Sequence, residues 1–269
     1  MPLPRSPQGC KVYGEVMYRE NMRMINKPSD GRMAPIKIAD DLYFVGTYQA
    51  SVHLIDTGDG LVLIDTGYEN AFYLVIESIW EAGFDPRDVK YIINTHWHWD
   101  HTESSAMMAA LSGAKNIISR ADAPEVEKRG YFTPDILVED GDKLTLGNKT
   151  FEFMFTPGHT KGTLSVFFDT MADGKSYRVG MFGGAGANSL VPSFDTYYDG
   201  CRDDYIASCD RLLCEEVDIF IGNHTWNNDT EKKGDILLKE GRNLFIDPHE
   251  WTKFLDHCKN RCLDLAPVE

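Results

Sequence analysis

Short apolar runs alternate with helical stretches from residue 35 onward. The segments PIKIADDLYFVGT, SVHLID and LVLID predict consecutive strands, and the turn Thr-Gly-Asp-Gly at 57–60 joins the last two into an antiparallel pair. Apolar residues at helical spacing over 70–82 predict a helix that ends at Gly83, and VKYIINT predicts the next strand. The chain therefore begins as an antiparallel sheet and continues as a β-α-β passage.

The rest of the chain predicts a second set of strands with helices around it. Helices are expected over 102–111 and 121–129, on either side of the strand NIIS. The second set of strands is KLTL, TFEFMF, LSVFF and YRVGMF, followed by a helix over 203–214, the strand VDIFIG and helices near 229–239 and 247–264. This order predicts an α/β fold, an αββα sandwich of two facing mixed β-sheets with helices on the outer faces.

Two regions are expected from the distribution of this pattern. Residues 1–34 mix Pro, Gly, Met and charge without a period, which predicts an irregular N-terminal arm. Residues 35–269 show no internal repeat or linker and predict a single domain.

Net charge and hydropathy indicate which classes of partner, nucleic acid, membrane or small molecule, the protein can have. A net charge of −15 repels phosphate backbones, so nucleic acid is excluded as a partner. The longest apolar runs, such as 61–64 and 164–168, are far shorter than the roughly 20 residues of a membrane span. We therefore expect a soluble protein that acts on a small molecule, and we leave its oligomeric state open.

The N-terminus and the cysteines bear on the compartment. The first residues, MPLPRSPQGCKVYGEV, lack the apolar segment of about 7–15 residues that a secretory signal requires, so a cytoplasmic location is expected unless a leader was removed. Six cysteines are too sparse for a disulfide scaffold and none lies in a CxxC pair, which predicts reduced thiols. A bridge from Cys214 to Cys258 or Cys262 stays open.

A dense cluster of potential metal ligands follows the strand VKYIINT. His96, His98, Asp100 and His101 lie within six residues. Imidazole and carboxylate ligands suit Zn²⁺, and the absence of Cys and Met nearby argues against copper and iron–sulfur sites. A purely structural role would require several imidazoles to be satisfied in one loop. Because alternating residues of an extended turn point to one side, we expect His96 and His98 to share one ion and Asp100 and His101 to face another.

Two later histidines are expected to complete these sites. His159 lies in TPGHT, a tight turn at the end of a strand, and His224 lies in GNHTW at the end of VDIFIG. Either one alone is more typical of a surface or capping histidine, but a catalytic zinc usually has three protein ligands. His53 is expected to be a satisfied core histidine, and His249 and His257 fall on the last helix, so none of these three is assigned to a metal.

The motifs LIDTG, HWHWDH, TPGHT and GNH together resemble the metallo-β-lactamase superfamily over about 35–264. The strings PIKIADDLYFVGT, DDYIASCDRL and NLFIDPHEWTKFL resemble the subclass with a His-His-His and an Asp-His-His zinc site. The resemblance implies a first metal on His96, His98 and His159. It implies a second metal on Asp100, His101 and His224.

Two departures from other branches of this superfamily favour the lactamase-like branch. Many of its hydrolases carry a metal-bridging Asp at the end of a strand such as YRVGMF, whereas residues 182–187 here read FGGAGA. Oxygen- and nitric-oxide-reducing relatives have Glu where this chain has His98.

The resemblance implies a dizinc hydrolase. Two zinc ions about 3.5–4 Å apart would share a water of near-neutral pKa, giving a hydroxide that attacks a cyclic amide, with Asp100 accepting the released proton. A β-lactam is the family's expected substrate. The absence of a visible export signal favours an alternative, a cytoplasmic metabolic hydrolase of a lactone, ester or thioester. A metal-binding protein without catalysis is a third hypothesis, and the complete set of six ligands argues against it.

Substrate contacts are predicted from the same resemblance. The loop 183–192 lies where such lactamases bind the substrate carboxylate, which makes Asn188 and Ser189 candidates, although both residues could equally shape a polar loop. Asp65 in LIDTG is expected to be a turn-former or a hydrogen-bond acceptor behind a ligand rather than a ligand. Four aromatic residues are candidates either for a pocket wall or for core packing: Tyr48, Trp97, Trp99 and Trp226.

Overall fold

The first sheet contains the strands predicted for the first half of the chain. The computed structural model describes residues 26–265. The sheet order follows the chain, with antiparallel pairing up to β4 and parallel pairing from β4 to β7. Its strands are β1 (Ile36–Lys37), β2 (Leu42–Phe44), β3 (His53–Asp56), β4 (Leu61–Ile64), β5 (Val89–Ile93), β6 (Lys115–Ser119) and β7 (Ile136–Val138).

The second sheet has five strands in the order β12-β11-β10-β9-β8. Its pairs are antiparallel except β11 with β12, which run parallel. Its strands are β8 (Lys143–Leu146), β9 (Lys149–Phe155), β10 (Leu164–Ala172), β11 (Lys175–Met181) and β12 (Ile219–Phe220). The predicted α/β fold with two mixed sheets is confirmed.

The helices occur close to the predicted places. They are α1 (Phe72–Glu81), α2 (Trp99–Thr102), α3 (Ser105–Ser112), α4 (Ala123–Arg129), α5 (Cys201–Leu212), α6 (Thr230–Glu240) and α7 (Glu250–Leu263). Gly113 and Gly130 cap α3 and α4 with φ of 76° and 71°, a conformation that glycine adopts without steric cost.

Three local predictions were wrong. PIKIADDLYFVGT forms the hairpin β1–β2 rather than one strand, because the polar residues Asp40 and Asp41 turn the chain and Ile36 pairs with Phe44. Strand β7 was not predicted, since it has three residues and follows a proline-containing loop. The segment after His98 is the helical turn α2 rather than an extended turn, so Asp100 and His101 project from a helix.

The hydrophobic core lies between the two sheets. Phe44 and Ile64 of the first sheet belong to the same buried cluster as Phe151 and Phe168 of the second. Each fully buried side chain of this kind stabilises the fold by about 1.5–3 kcal/mol relative to an exposed one. His53 lies in this layer against Phe44, but its Nδ1 has no hydrogen-bond partner among the described residues, so it is a core histidine that is not satisfied.

Helices cover the outer faces of both sheets. Val75 and Ile79 of α1 pack in one buried cluster with the first sheet. Trp251 and Leu255 of α7 pack with Tyr205 of α5 on the second sheet. These contacts fix both sheets from outside, which holds the loops at their edges in register.

The structure bears in part on three further predictions, which concern the N-terminal arm, the cysteines and membrane-spanning helices. Most of the predicted arm lies outside the described residues; within 26–34, Arg32 forms ion pairs with Glu77 and Glu81 of α1. The five described cysteines are free, which agrees with reduced thiols and leaves Cys214 unpaired with Cys258 or Cys262. No helix within 26–265 is long and apolar enough to cross a membrane.

Candidate metal centre

Loops from the same end of both sheets bring the six predicted ligands together. The cluster from His96 to His101 follows β5, and His159 lies in the connection between β9 and β10. His224 follows β12, and a β-bridge between His224 and Ala50 ties this loop to the first sheet. The site is therefore assembled from both sheets, and the packing between them sets its geometry.

The first ligand group, hereafter group 1, contains His96, His98 and His159. Its ligand atoms lie within 4.8 Å of one another. His98 Nδ1 lies 3.0 Å from His96 Nε2 and 2.9 Å from His159 Nε2. His96 and His159 are buried, and His98 is partly exposed.

Hydrogen bonds behind group 1 determine which nitrogens face inward with a lone pair. The Thr95 hydroxyl donates to Asp65, so it accepts from His96 Nδ1–H at 3.0 Å. The Gly186 carbonyl can only accept, so His159 Nδ1–H donates to it at 2.6 Å. Nε2 of both His96 and His159 therefore presents a lone pair to the centre of the group.

Group 2 contains Asp100, His101 and His224, again with ligand atoms within 4.8 Å of one another. Asp100 Oδ2 lies 3.5 Å from His101 Nε2 and 3.7 Å from His224 Nε2. His224 Nδ1 donates to the Gln49 carbonyl at 2.7 Å, which leaves Nε2 free for a ligand. The side chains of Asp100 and His224 are 18% and 19% exposed, so this group faces the open side of the centre.

Asp65 supports ligands of both groups. Its carboxylate accepts from His101 Nδ1 at 2.8 Å and from the backbone N–H and hydroxyl of Thr95. Its φ of 60° lies in the left-handed region, which Asp tolerates better than most residues and which clusters at functional sites. Asp65 is thus a hydrogen-bond acceptor for the candidate ligand His101, as the sequence predicted.

Four of the five imidazoles of the two groups have lowered pKa values, which favours the neutral form that ligates a metal. Burial, together with the neighbouring imidazoles, lowers the pKa of His96 and His98 well below 6.5. Burial lowers the pKa of His159 and of His224 to about 4. Burial also acts to lower the pKa of His101, but the carboxylates of Asp100 and Asp65 outweigh it and raise the pKa overall.

Asp100 is held as a carboxylate. Burial acts to raise its pKa, yet the imidazoles of His101, His224 and His98 outweigh this effect and lower it. A charged oxygen donor next to two imidazole lone pairs is a ligand set that Zn²⁺ prefers.

Group 1 also fits a metal on the chemistry of its donors. Both Nε2 lone pairs face His98 Nδ1, which can donate at most one hydrogen. At least one contact near 3 Å therefore joins two lone pairs, an arrangement that a cation between them stabilises. The two groups agree with the His-His-His and Asp-His-His sets implied by the sequence.

Asp122 is a structural centre that sequence analysis did not predict. Its buried carboxylate accepts from the backbone N–H of Trp97 and Gly162 and from the Thr160 hydroxyl, so it joins the two loops that carry group 1. Burial raises its pKa to about 6. Its position before Ala-Pro resembles a helix N-cap, and only the fold shows that the side chain points to the loops.

The two predicted substrate contacts differ in their surroundings. Asn188 is exposed in the loop after β11. Ser189 is buried, and its hydroxyl lies 2.8 Å from His159 Nδ1. The hydroxyl of Ser189 thus contacts a ligand of group 1, while the Asn188 amide is open to solvent.

The four predicted aromatic residues divide between packing and surface. Trp97 is buried against Ile118 and Val126, with Arg129 over its ring, and therefore belongs to the core. Trp99 and Trp226 are 40% and 43% exposed. The Trp226 ring stacks on His224 at 4.3 Å, and Tyr48 is half-buried in the loop after β2.

Comparisons with known proteins agree with this geometry. Residues 45–171 match the family model described as the metallo-beta-lactamase superfamily. Two solved structures align with this chain over most of their length. A subclass B3 metallo-beta-lactamase of Bradyrhizobium japonicum is 27% identical, with a TM-score of 0.79, and the alignment covers 86% of this chain and 92% of that one. A metallo-beta-lactamase of Legionella gormanii is also 27% identical, with a TM-score of 0.80, and the alignment covers 87% of this chain and 95% of that one.

Curated relatives are similar over shorter segments. A "probable metallo-hydrolase" of Methanocaldococcus jannaschii is 30% identical over 40% of this chain and 46% of its own length. A hydroxyacylglutathione hydrolase of Maricaulis maris is 32% identical over 43% of this chain and 40% of its own length. An N-acyl homoserine lactonase of Bacillus cereus is 27% identical over 45% of this chain and 59% of its own length. The chain thus spans about half the length of these relatives.

Proposed function

Because this chain contains a metallo-β-lactamase superfamily domain, we propose that it is a hydrolase that holds two zinc ions and cleaves a cyclic amide bond, with a β-lactam as the expected substrate. Two findings support the proposal: the two ligand groups, and a likeness to a subclass B3 enzyme that covers 86% of this chain. When bound, the zinc ions lower the pKa of a water and polarise a carbonyl as Lewis acids.

The residues of the chain prepare the site for this chemistry. Neutral imidazoles in group 1 present lone pairs at physiological pH, because burial holds their pKa values low. Hydrogen bonds to Asp65 and Gly186 fix the tautomers of His101 and His159, which orients the rings before a metal or a substrate arrives. In our proposal, Asp100 accepts a proton from the water, because its carboxylate is ionised and partly exposed.

The observation that carries the proposal is the glycine pair after β11. Hydrolases of other branches place a bridging carboxylate at the end of this strand. A Cβ at Gly183 would lie 1.9 Å from the Leu164 carbonyl oxygen, and a Cβ at Gly184 would lie 2.8 Å from His159 Cβ. A carboxylate side chain therefore does not fit at either position without a backbone shift, which supports the lactamase-like branch.

Asn188 is the candidate that we propose for the substrate carboxylate. Its amide is exposed beside the loop that holds His159, so it can donate to an anionic group near group 1. Ser189 stays a prediction in this role, since its hydroxyl already has a partner in His159.

A second candidate function is hydrolysis of a lactone, ester or thioester. The likeness to a hydroxyacylglutathione hydrolase and to an N-acyl homoserine lactonase favours it. The same donors would serve both reactions, because an ester carbonyl and an amide carbonyl develop the same negative charge on oxygen.

Metal content and a substrate panel test the proposal together. We expect about two zinc per chain and turnover of a chromogenic cephalosporin. Turnover of only lactones or thioesters would move the protein to the second candidate. No metal at group 1 or group 2 would overturn both.

A further inference from the structure

A cavity lies next to the metal-binding loop, where Trp99 forms part of its wall. Its volume is about 420 Å³, and its lining is Tyr68, Glu69, Asn70, Trp99, Glu103 and Met107. Trp99 stands between two ligand positions in sequence, since it directly follows His98 and precedes Asp100. The wall of this Trp99 cavity is thus continuous with the metal-binding loop.

The apolar part of the Trp99 cavity is open to solvent. Trp99 is 40% exposed and Met107 is 39% exposed. The Trp99 ring packs against Tyr68 edge to face, with 5.0 Å between ring centroids. This contact fixes the indole and leaves part of it exposed, so the ring is an ordered surface for a ligand rather than part of the core.

The polar part of the cavity is negatively charged. Glu103 Oε2 accepts from the Glu69 backbone N–H, which holds the two acidic residues side by side. Among residues 26–265, neither Glu69 nor Glu103 forms an ion pair. The lining of the cavity contains no lysine and no arginine.

A second surface cavity also contains acidic residues, but their ion pairing differs from that in the Trp99 cavity. It measures about 460 Å³ and is lined by residues of α6. There Lys239 pairs with Asp235 at 2.6 Å, and no aromatic ring lines the wall. In that cavity Asp235 and Glu240 form ion pairs, whereas among residues 26–265 Glu69 and Glu103 form none.

We propose that the Trp99 cavity binds an organic ammonium group of the substrate, with the cation over the Trp99 indole and beside Glu69 and Glu103. An aromatic face combined with carboxylates is the chemistry that recognises alkylated ammonium ions. The inference rests on the proposed function, because it assigns the cation to the substrate of groups 1 and 2. It selects substrates whose ammonium group lies a short linker away from the bond that is cleaved.

The first test measures binding without turnover, with choline and its uncharged isostere 3,3-dimethylbutan-1-ol as probes. Indole fluorescence or chemical-shift titration of the zinc-loaded protein should show choline binding about tenfold more tightly than the isostere. Added salt should weaken only the binding of choline, because it screens the carboxylates. Equal affinity for the two probes overturns the inference.

Variants then locate the site. The pair Glu69→Gln with Glu103→Gln should remove most of the preference for choline, and Trp99→Leu should do the same while it keeps an apolar side chain. Glu231→Gln in the α6 cavity is the matched control and should change nothing. A preference for choline that survives both substitutions in the Trp99 cavity overturns the inference.

A kinetic test separates this inference from the proposed function. Two cephalosporins that differ only by a free or an acetylated amine in the acyl side chain are compared, and kcat/KM should favour the amine about tenfold in the wild type but not in the double variant. If neither is cleaved, the proposed function fails and the choline titration still decides the cavity. If both are cleaved equally and choline does not bind, the cavity inference alone fails.

Discussion

The two metal-ligand groups share one site but differ in charge and exposure. Group 1 has three imidazoles whose pKa values are lowered, and His96 and His159 are buried. Group 2 has a carboxylate, and its His101 has a raised pKa because Asp100 and Asp65 surround it. Its Asp100 and His224 are also partly exposed.

This difference follows from how the chain supports each group. In group 1 neutral oxygens hold the Nδ1 atoms of His96 and His159, namely the Thr95 hydroxyl and the Gly186 carbonyl. A buried carboxylate holds His101 in group 2. Carboxylate support makes an imidazole a stronger donor to a metal and also a stronger base toward a proton. A charged group therefore contacts His101 of group 2 directly, whereas only neutral oxygens contact the Nδ1 atoms of His96 and His159.

The largest expected effect comes from removing one ligand from each group. His96→Ala should lose the metal of group 1, and His224→Ala should lose the metal of group 2. Each should lower kcat/KM by roughly 10³-fold or more, because both ions take part in catalysis in the proposed function. Zinc per chain should fall from about two to about one in each variant. His257→Ala, an exposed histidine of α7, is the control, and unchanged zinc in both ligand variants would contradict the assignment.

Substitution of Asp65 tests the role of charge behind group 2. Asp65→Asn retains a residue that tolerates φ near 60° but replaces a carboxylate with an amide beside His101. Zinc affinity of group 2 should fall about 10–100-fold, as for other hydrogen-bond partners of metal ligands. Competition with a chromogenic chelator measures it, with the exposed Asp59→Asn as control. Complete loss of zinc would instead make Asp65 a ligand.

The sequence pattern predicted which candidate ligands come together better than it predicted the residues that support them. Each ligand histidine lies in a short motif after a strand, so the pattern of strands and motifs predicts that they meet. The supporting contacts join positions distant in the chain, such as Asp65 with His101 and Gly186 with His159. Such pairs depend on how the two sheets pack, which periodicity does not reveal.

Local structure shows the same limit. An Asp before Ala-Pro is typical of a helix N-cap, yet Asp122 uses its carboxylate to join the loops that carry group 1. The β1–β2 hairpin was predicted as one strand, because its turn lacks Gly and Pro. In both cases tertiary contacts outweigh the local preference of the sequence.

Lowering the pH of the wild-type protein should release the metal of one group before that of the other. A proton competes with the metal for the Nε2 lone pair, so an imidazole with a higher pKa is protonated earlier as the pH falls. The pKa of His101 is raised above 6.5, whereas that of His159 is lowered to about 4. Group 2 should therefore release its metal at a higher pH than group 1. Zinc per chain, measured after dialysis in steps from pH 7 to pH 4.5, checks this order, and simultaneous release would remove the contrast between the groups.

The smallest expected effect concerns the neutral support of group 1. Ser189→Ala removes a hydroxyl 2.8 Å from His159 Nδ1, while the Gly186 carbonyl still accepts from the ring. Loss of one neutral hydrogen bond should weaken zinc binding at group 1 about two- to tenfold and leave group 2 unchanged. Chelator competition on the His224→Ala background isolates group 1, and the exposed Ser176→Ala is the control. A loss as large as that from Asp65→Asn would mean that neutral and charged supports are equivalent, because packing alone would then set both affinities.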